Sequence, residues 1–157
     1  MPARSSDSLL VRQLLIALLT IGLFAHSGFA SETPKMVVIV NHDNPVLELP
    51  LSEVRHIFRG DRKRWKDGSM IEVILPRPGS PAMQSVLRNV FKMKSVAELG
   101  RYYLAAVFQQ KLLEAPRTAS TNDTITIVSR SKSAFAVVPH TGAIDKDGIK
   151  VIEVAGL

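Results

Sequence analysis

The chain has 157 residues, with 20 Lys+Arg against 14 Asp+Glu, 46% hydrophobic residues, 6% aromatic residues and no cysteine. At roughly 100–200 residues per domain this is one domain and hardly two, and the apolar share excludes a disordered or low-complexity polymer. Without cysteine there is no disulfide framework, no thiolate metal site, no catalytic thiol and no lipidated N-terminal cysteine.

The first segment reads as an address. Arg4 and Arg12 precede the apolar run Leu14–Ala25, and the small residues Gly28 and Ala30 stand three and one positions before Ser31. A positive start, a short apolar stretch and small residues at those positions predict a secretory signal over residues 1–30, cleaved after Ala30. The run falls short of the ~20 apolar residues that span a bilayer. The expected product is an exported, periplasmic chain over residues 31–157 that is not a lipoprotein, with 18 basic and 13 acidic residues. In a cytosolic protein a pI near 9.9 would suggest nucleic acid. Here the cluster Arg59, Arg62, Lys63, Arg64 and Lys66 has only Trp65 interleaved, so no nucleic-acid partner is expected. It reads as a solvated positive loop, or more sharply as an attractor of small anions or an acidic membrane surface.

Beyond the signal, the run from Met36 to Asn41 is short and β-branched, as in a strand buried on both faces. His42-Asp43-Asn44-Pro45 supplies turn chemistry. Leu51, Val54, Ile57 and Phe58 recur at helical spacing, with Pro50 or Ser52 at the start and Gly60 as the stop. A polar loop with an Asp67-Gly68 turn leads to a strand over 71–75, closed by Pro76. Ser80 is an N-cap residue type and Pro81 suits the first helical position, ahead of the stripe Met83, Val86, Leu87, Val90 and Phe91. Ser95 and Glu98 form a capping box for a further helix, whose inner face would carry Val96, Leu99, Tyr103, Ala106 and Val107. Residues 114–123 read as a loop, with Asn122 or Asp123 capping a helix to about Ser131. Strands are expected over 134–138 and 149–154, joined by a turn at 145–148. Strands alternating with helices give an α/β, three-layer-like domain with a mixed, mainly parallel sheet flanked by helices, one core and no internal repeat.

These residues together resemble the phosphate-binding proteins of ABC transporters, within the type II periplasmic binding protein superfamily. The resemblance rests on the strand Val37–Asn41 followed by Pro45-Val46, on Leu51 to Gly60 with its Ile57-Phe58-x-Gly60 ending, and on Trp65 and Asp67-Gly68. It continues through Gly79-Ser80, Phe91, the Tyr102-Tyr103 to Phe108 stretch and the strand Ala134–Val138. It covers nearly all of residues 31–157 but only about one lobe of a full member. The family's loop runs Arg-x-Asp/Glu-x-Ser-Gly-Thr, whereas here it runs Arg77-Pro78-Gly79-Ser80-Pro81-Ala82, without the acid and the threonine.

The resemblance implies a non-enzymatic, periplasmic substrate-binding protein for ABC transport, with phosphate or another small oxyanion as ligand and no cofactor. The expected partners are an inner-membrane ABC permease or another envelope protein. Whether the other half of the cleft comes from a homodimer or another chain is open. The binding residues expected are Arg77, Gly79, Ser80, Ala82 and Met83. Physically, a helix starting at Ser80-Pro81 aims its unpaired N–H groups and positive dipole end into the loop, Pro81 forgoes one donor, and Arg77 adds a guanidinium fork. The same residues fit a plain N-cap with Arg77 on the surface, and the sequence leaves both readings open. So does it leave a second function class, a ligand-free interaction or accessory module of the cell envelope built on the same lobe.

Other candidates are weaker. His42-Asp43 would be half of a metal site that nothing at ligand spacing completes, so no metal is expected. His56 lies beside an apolar stripe. Ser129, Ser131 and Ser133 have no histidine–carboxylate pair to activate them, and no nucleophile elbow, zinc-protease helix, Walker loop or dinucleotide fingerprint occurs. Trp65 suits packing over the sheet edge better than stacking on a ligand.

Overall fold

Strand β1 (Met36–Asn41) is buried along its whole length, as a β-branched run covered on both faces must be. It lies in a computed structural model that describes residues 34–141, 144 and 148–157. The expected signal at 1–30 and most of the expected turn at 145–148 lie outside the described residues.

After β1 come helix α1 (Leu51–Phe58), strand β2 (Glu72–Pro76), helix α2 (Pro81–Ser85) and, continuing it, a π-helical segment Val86–Phe91. Helix α3 (Val96–Phe108), strand β3 (Arg117–Ala119), helix α4 (Thr121–Arg130) and strands β4 (Ala134–Pro139) and β5 (Ile149–Ile152) complete the order. The five strands form one mixed sheet in the order β3-β2-β4-β1-β5. Strand β2 runs parallel to both β3 and β4, while β1 runs antiparallel to β4 and β5.

Side chains alternate across this sheet and divide the core in two. One face carries Val38, Val40, Leu75, Phe135 and Val137 against α1, α2 with its π-helical extension, and α3. The other carries Val37, Ile39, Ile74, Ala134, Ala136 and Val138 against Ile125 and Val128 of α4. The result is a three-layer α/β domain, as the sequence predicts.

Locally the structure differs from the sequence reading in four places. Residues 114–123 are not all loop: Arg117–Ala119 pair with Ile74–Pro76, held at the edge by an Arg117–Glu72 ion pair of 2.6 Å. Helix α4 is capped by Ser120, whose Oγ accepts the Asp123 N–H at 3.2 Å, two or three residues before the caps expected. Ser95 caps α3 through the Glu98 N–H, but Glu98 returns to the Lys94 N–H at 2.8 Å. Of the inner face expected for α3, Leu99, Tyr103 and Ala106 are buried, while Val96 is exposed and Val107 half-buried.

Candidate functional site

Because β2, β3 and β4 are parallel, their carboxyl ends share one rim of the sheet, and the chain leaves each strand there. Open α/β sheets bind ligands outside the carboxyl ends of their strands. Pro76 pairs with Ala119, so the 77–80 bend and Ser120 follow neighbouring strand ends. Pro139 pairs with Met36, and the His140 N–H donates to the Lys35 carbonyl at 2.7 Å. On the far side, Ile152 pairs with Val38, and Glu153 just beyond it binds Lys35 at 2.7 Å. That ammonium, through its hydrogen bond and its charge, holds the Glu153 carboxyl below the usual carboxylate range.

The expected site residues lie together in the bend. Gly79 has φ +81°, a conformation that L-residues enter only at a cost, and no atom lies within 4 Å of where a Cβ would stand. The glycine thus serves the turn, and no protein neighbour requires its small size. Gly79→Ala is expected to cost about 1–2 kcal/mol from backbone strain alone. Equilibrium urea denaturation checks this, and a loss below a few tenths would contradict a left-handed bend.

Ser80 is extended, with φ −74° and ψ 154°, and caps α2. Its Oγ accepts the Met83 N–H at 3.1 Å and donates to the Arg77 carbonyl at 2.7 Å. The Gln84 N–H is taken by the Ser80 carbonyl at 3.0 Å. Pro81 has no N–H, so the Ala82 amide is the donor of the first turn left without an acceptor among the described residues. Ala82 is only 1% exposed. Arg77 is exposed and pairs with no carboxylate among the described residues. In this form the bend presents a guanidinium to solvent, while its serine hydroxyl and the Met83 amide satisfy local groups.

Ser120 and the start of α4 are the part of this rim that sequence reading missed. Ser120 Oγ donates to Asp123 Oδ2 at 2.6 Å while accepting the Asp123 N–H. The Ser120-x-x-Asp123 spacing is itself a capping signature and was the available signal. The carboxylate there already complements the positive helix end. Beside the rim, a concavity of about 400 Å³ runs from Pro81, Gln84 and Arg88 to Lys35 and Val154.

Elsewhere, Trp65 is buried, its ring 6.1 Å from Phe135, with Nε1 3.4 Å from the Ser133 carbonyl. His42 and Asp43 are exposed neighbours 3.4 Å apart, and no group of three metal-ligating residues occurs among the described residues. Much of the basic cluster is tied to the protein. Arg59 donates to the Val90 carbonyl, Arg62 pairs with Glu53, and Arg64 donates to the Gly68 carbonyl.

No protein-family model matches this chain, and no curated protein matches it in sequence. Among solved structures it is similar to a candidate phosphate ABC transporter substrate-binding protein with bound phosphate from Clostridium perfringens, at TM-score 0.58 and 17% identity, over 79% of this chain and 46% of that one. An ABC-type phosphate transport receptor from Vibrio cholerae matches at TM-score 0.57 and 16% identity, over 79% and 47%. PstS from Borrelia burgdorferi matches at 0.58 and 13% identity, over 78% and 47%. The chain therefore spans slightly less than half the length of these structures, and what it shares with them is the fold.

Proposed function

We propose that this protein is a substrate-binding lobe that receives a small oxyanion of the phosphate class at the rim formed by the carboxyl ends of β2, β3 and β4, in the service of ABC transport. The supporting observation is the fold held in common with two structures described as phosphate transport proteins, one of them with phosphate bound. Residues 77–83 stand on that rim.

In this reading Arg77 meets the anion first. The Ser80 hydroxyl then exchanges its donor bond to the Arg77 carbonyl for one to the anion, still accepting from the Met83 amide, as a rotating hydroxyl allows. Gly79 sets the bend, and the Ala82 amide becomes a donor only if the first turn of α2 opens slightly. Giving up the Ser80–Arg77 bond costs about 0.5–1.5 kcal/mol, and no second lobe excludes water from the described rim. Affinity of the single lobe is therefore weak. Tight capture requires a second lobe, and delivery requires an envelope permease.

The test is calorimetric titration of the folded protein with inorganic phosphate and with sulfate. Binding is expected with Kd on the order of 1 mM, equivalent to about 4 kcal/mol. Arg77→Ala should weaken it about tenfold, since it removes a charge-assisted contact. No heat at about ten times that concentration from protein with a native circular dichroism spectrum would overturn autonomous anion binding, as would an unchanged Arg77→Ala isotherm.

A further inference from the structure

Helix α3 is apolar on both sides. Its inner face places Leu99, Tyr103 and Ala106 in the core. Its outer face should be polar if it met only water, yet Leu104 is 59% and Phe108 79% exposed, with Ala97, Gly100 and Ala105 around them. Arg101 is the single charge on that face. The contrast with α4 is plain, since α4 exposes Asn122, Asp123, Thr126 and Arg130.

The charges near α3 are unbalanced in one direction. Lys92, Lys94 and Arg101 are exposed and pair with no carboxylate among the described residues. Of the acids nearby, Glu98 accepts the Lys94 N–H and Asp61 holds Lys111 at 2.7 Å, while Glu114 is exposed six residues beyond the end of the helix. An apolar strip whose margin carries more cations than carboxylates, with Arg101 on the face itself, complements a surface that is oily beneath and anionic on top. A second copy is a poorer fit, because antiparallel pairing of this face with itself brings two Arg101 guanidinium groups to its centre.

We propose that the outer face of α3 docks on an acidic phospholipid bilayer, with Leu104 and Phe108 entering the acyl boundary and Arg101 and Lys94 among the headgroups. The helix lies in the interface and does not cross it: at 13 residues it is about 20 Å long, and no described helix is long and apolar enough to span. Such docking would hold the protein at the membrane by a face separate from the rim that carries Arg77 and Ser80.

The absence of cysteine makes the test position-specific. Full-length Phe108→Cys carries a polarity-sensitive nitrobenzoxadiazole label, and Thr126→Cys on α4, across the sheet, carries the same label as reference. Both are mixed with vesicles of equal phosphatidylglycerol and phosphatidylcholine, and with vesicles of phosphatidylcholine alone. The apolar run Leu14–Ala25 is present in every arm, so the comparison is between label positions and not between bound and free protein. With acidic vesicles the label at 108 should brighten about threefold and shift to the blue, while the label at 126 stays as in water. Raising salt from about 0.1 M to about 1 M, which shortens the screening length from about 10 to about 3 Å, should remove most of the gain. The proposal is overturned by an unchanged label at 108, by equal responses at 108 and 126, or by an equal response with phosphatidylcholine alone. It is also overturned if brightening at 108 follows protein concentration without vesicles, which would assign the face to a second copy.

Discussion

Phe135→Ala is expected to destabilise the protein by about 3–5 kcal/mol, the cost of removing a large aromatic side chain from a packed interior. Phe135 sits in β4 between Val40 of β1 and Val73 of β2, with no exposed surface. Its ring meets Phe58 edge-on at 5.3 Å and Trp65 at 6.1 Å, so α1 and the 61–69 loop both pack on it. Phe58 in turn meets Phe91, which contacts Tyr102 and Tyr103. One ring thus stands at the head of a chain of aromatic contacts reaching α3. The opposite face of β4 has only Ala134 and Ala136 at the flanking positions, small enough to admit α4. No nearby side chain on that layer refills the void. Against a typical stability of about 5–15 kcal/mol this loss is large, and a thermal melt should fall by about 10–20 °C. A loss below about 1 kcal/mol would mean that the helical layer closes over the vacancy, contrary to the packing described.

What could be read from sequence, and what could not, divides by where each element's structure is decided. Met36–Asn41 and Ala134–Val138 are legible because burial on both faces leaves no polar alternation to misread. Ser95 and Ser80-Pro81 are legible because capping is a local bargain between a side chain and the next turn. Strand β3 is not, since Arg117, Thr118 and Ala119 carry no strand pattern, and their state comes from pairing with β2 and from Glu72, 45 residues away. Nor is the π-helical segment. Its apolar residues at 86, 87, 90 and 91 suit α spacing, but Arg55 takes the Asn89 carbonyl through Nε at 3.1 Å and Nη2 at 2.9 Å, and Arg59 takes that of Val90. Those bonds reach across more than thirty residues and engage carbonyls an α-helix would use differently. The rim was half legible for the same reason. The sequence places Arg77 to Met83 in one bend, but only the folded chain shows the Ser80 hydroxyl committed to the Arg77 carbonyl, and Ser120 arriving on the neighbouring strand.

Gly60→Ala is the second substitution expected to be costly, at about 2–3 kcal/mol, for two reasons of which the sequence announces one. Gly60 ends α1 with φ +73°, and placing an L-residue there costs about 1–2 kcal/mol. The second reason is distant in sequence. A Cβ at Gly60 would stand 2.5 Å from Leu112 Cδ2, so Leu112 must move. Backbone bonds hold the main chain there, since the Leu112 N–H and that of Lys111 both donate to the Ala106 carbonyl at 3.1 and 2.8 Å, so the half-buried Leu112 side chain has to turn aside. Meanwhile Tyr102 and Tyr103 clamp the carbonyls of Arg59 and Phe58 at 2.8 Å, so α1 cannot retreat either. The two contributions separate in a double-mutant cycle with Leu112→Ala. Denaturation of the four proteins should show Gly60→Ala costing less by about 1 kcal/mol when Leu112 is already alanine, the remainder being backbone strain. If the two substitutions simply add, the helix stop depends on the left-handed turn alone and the contact with Leu112 carries no energy.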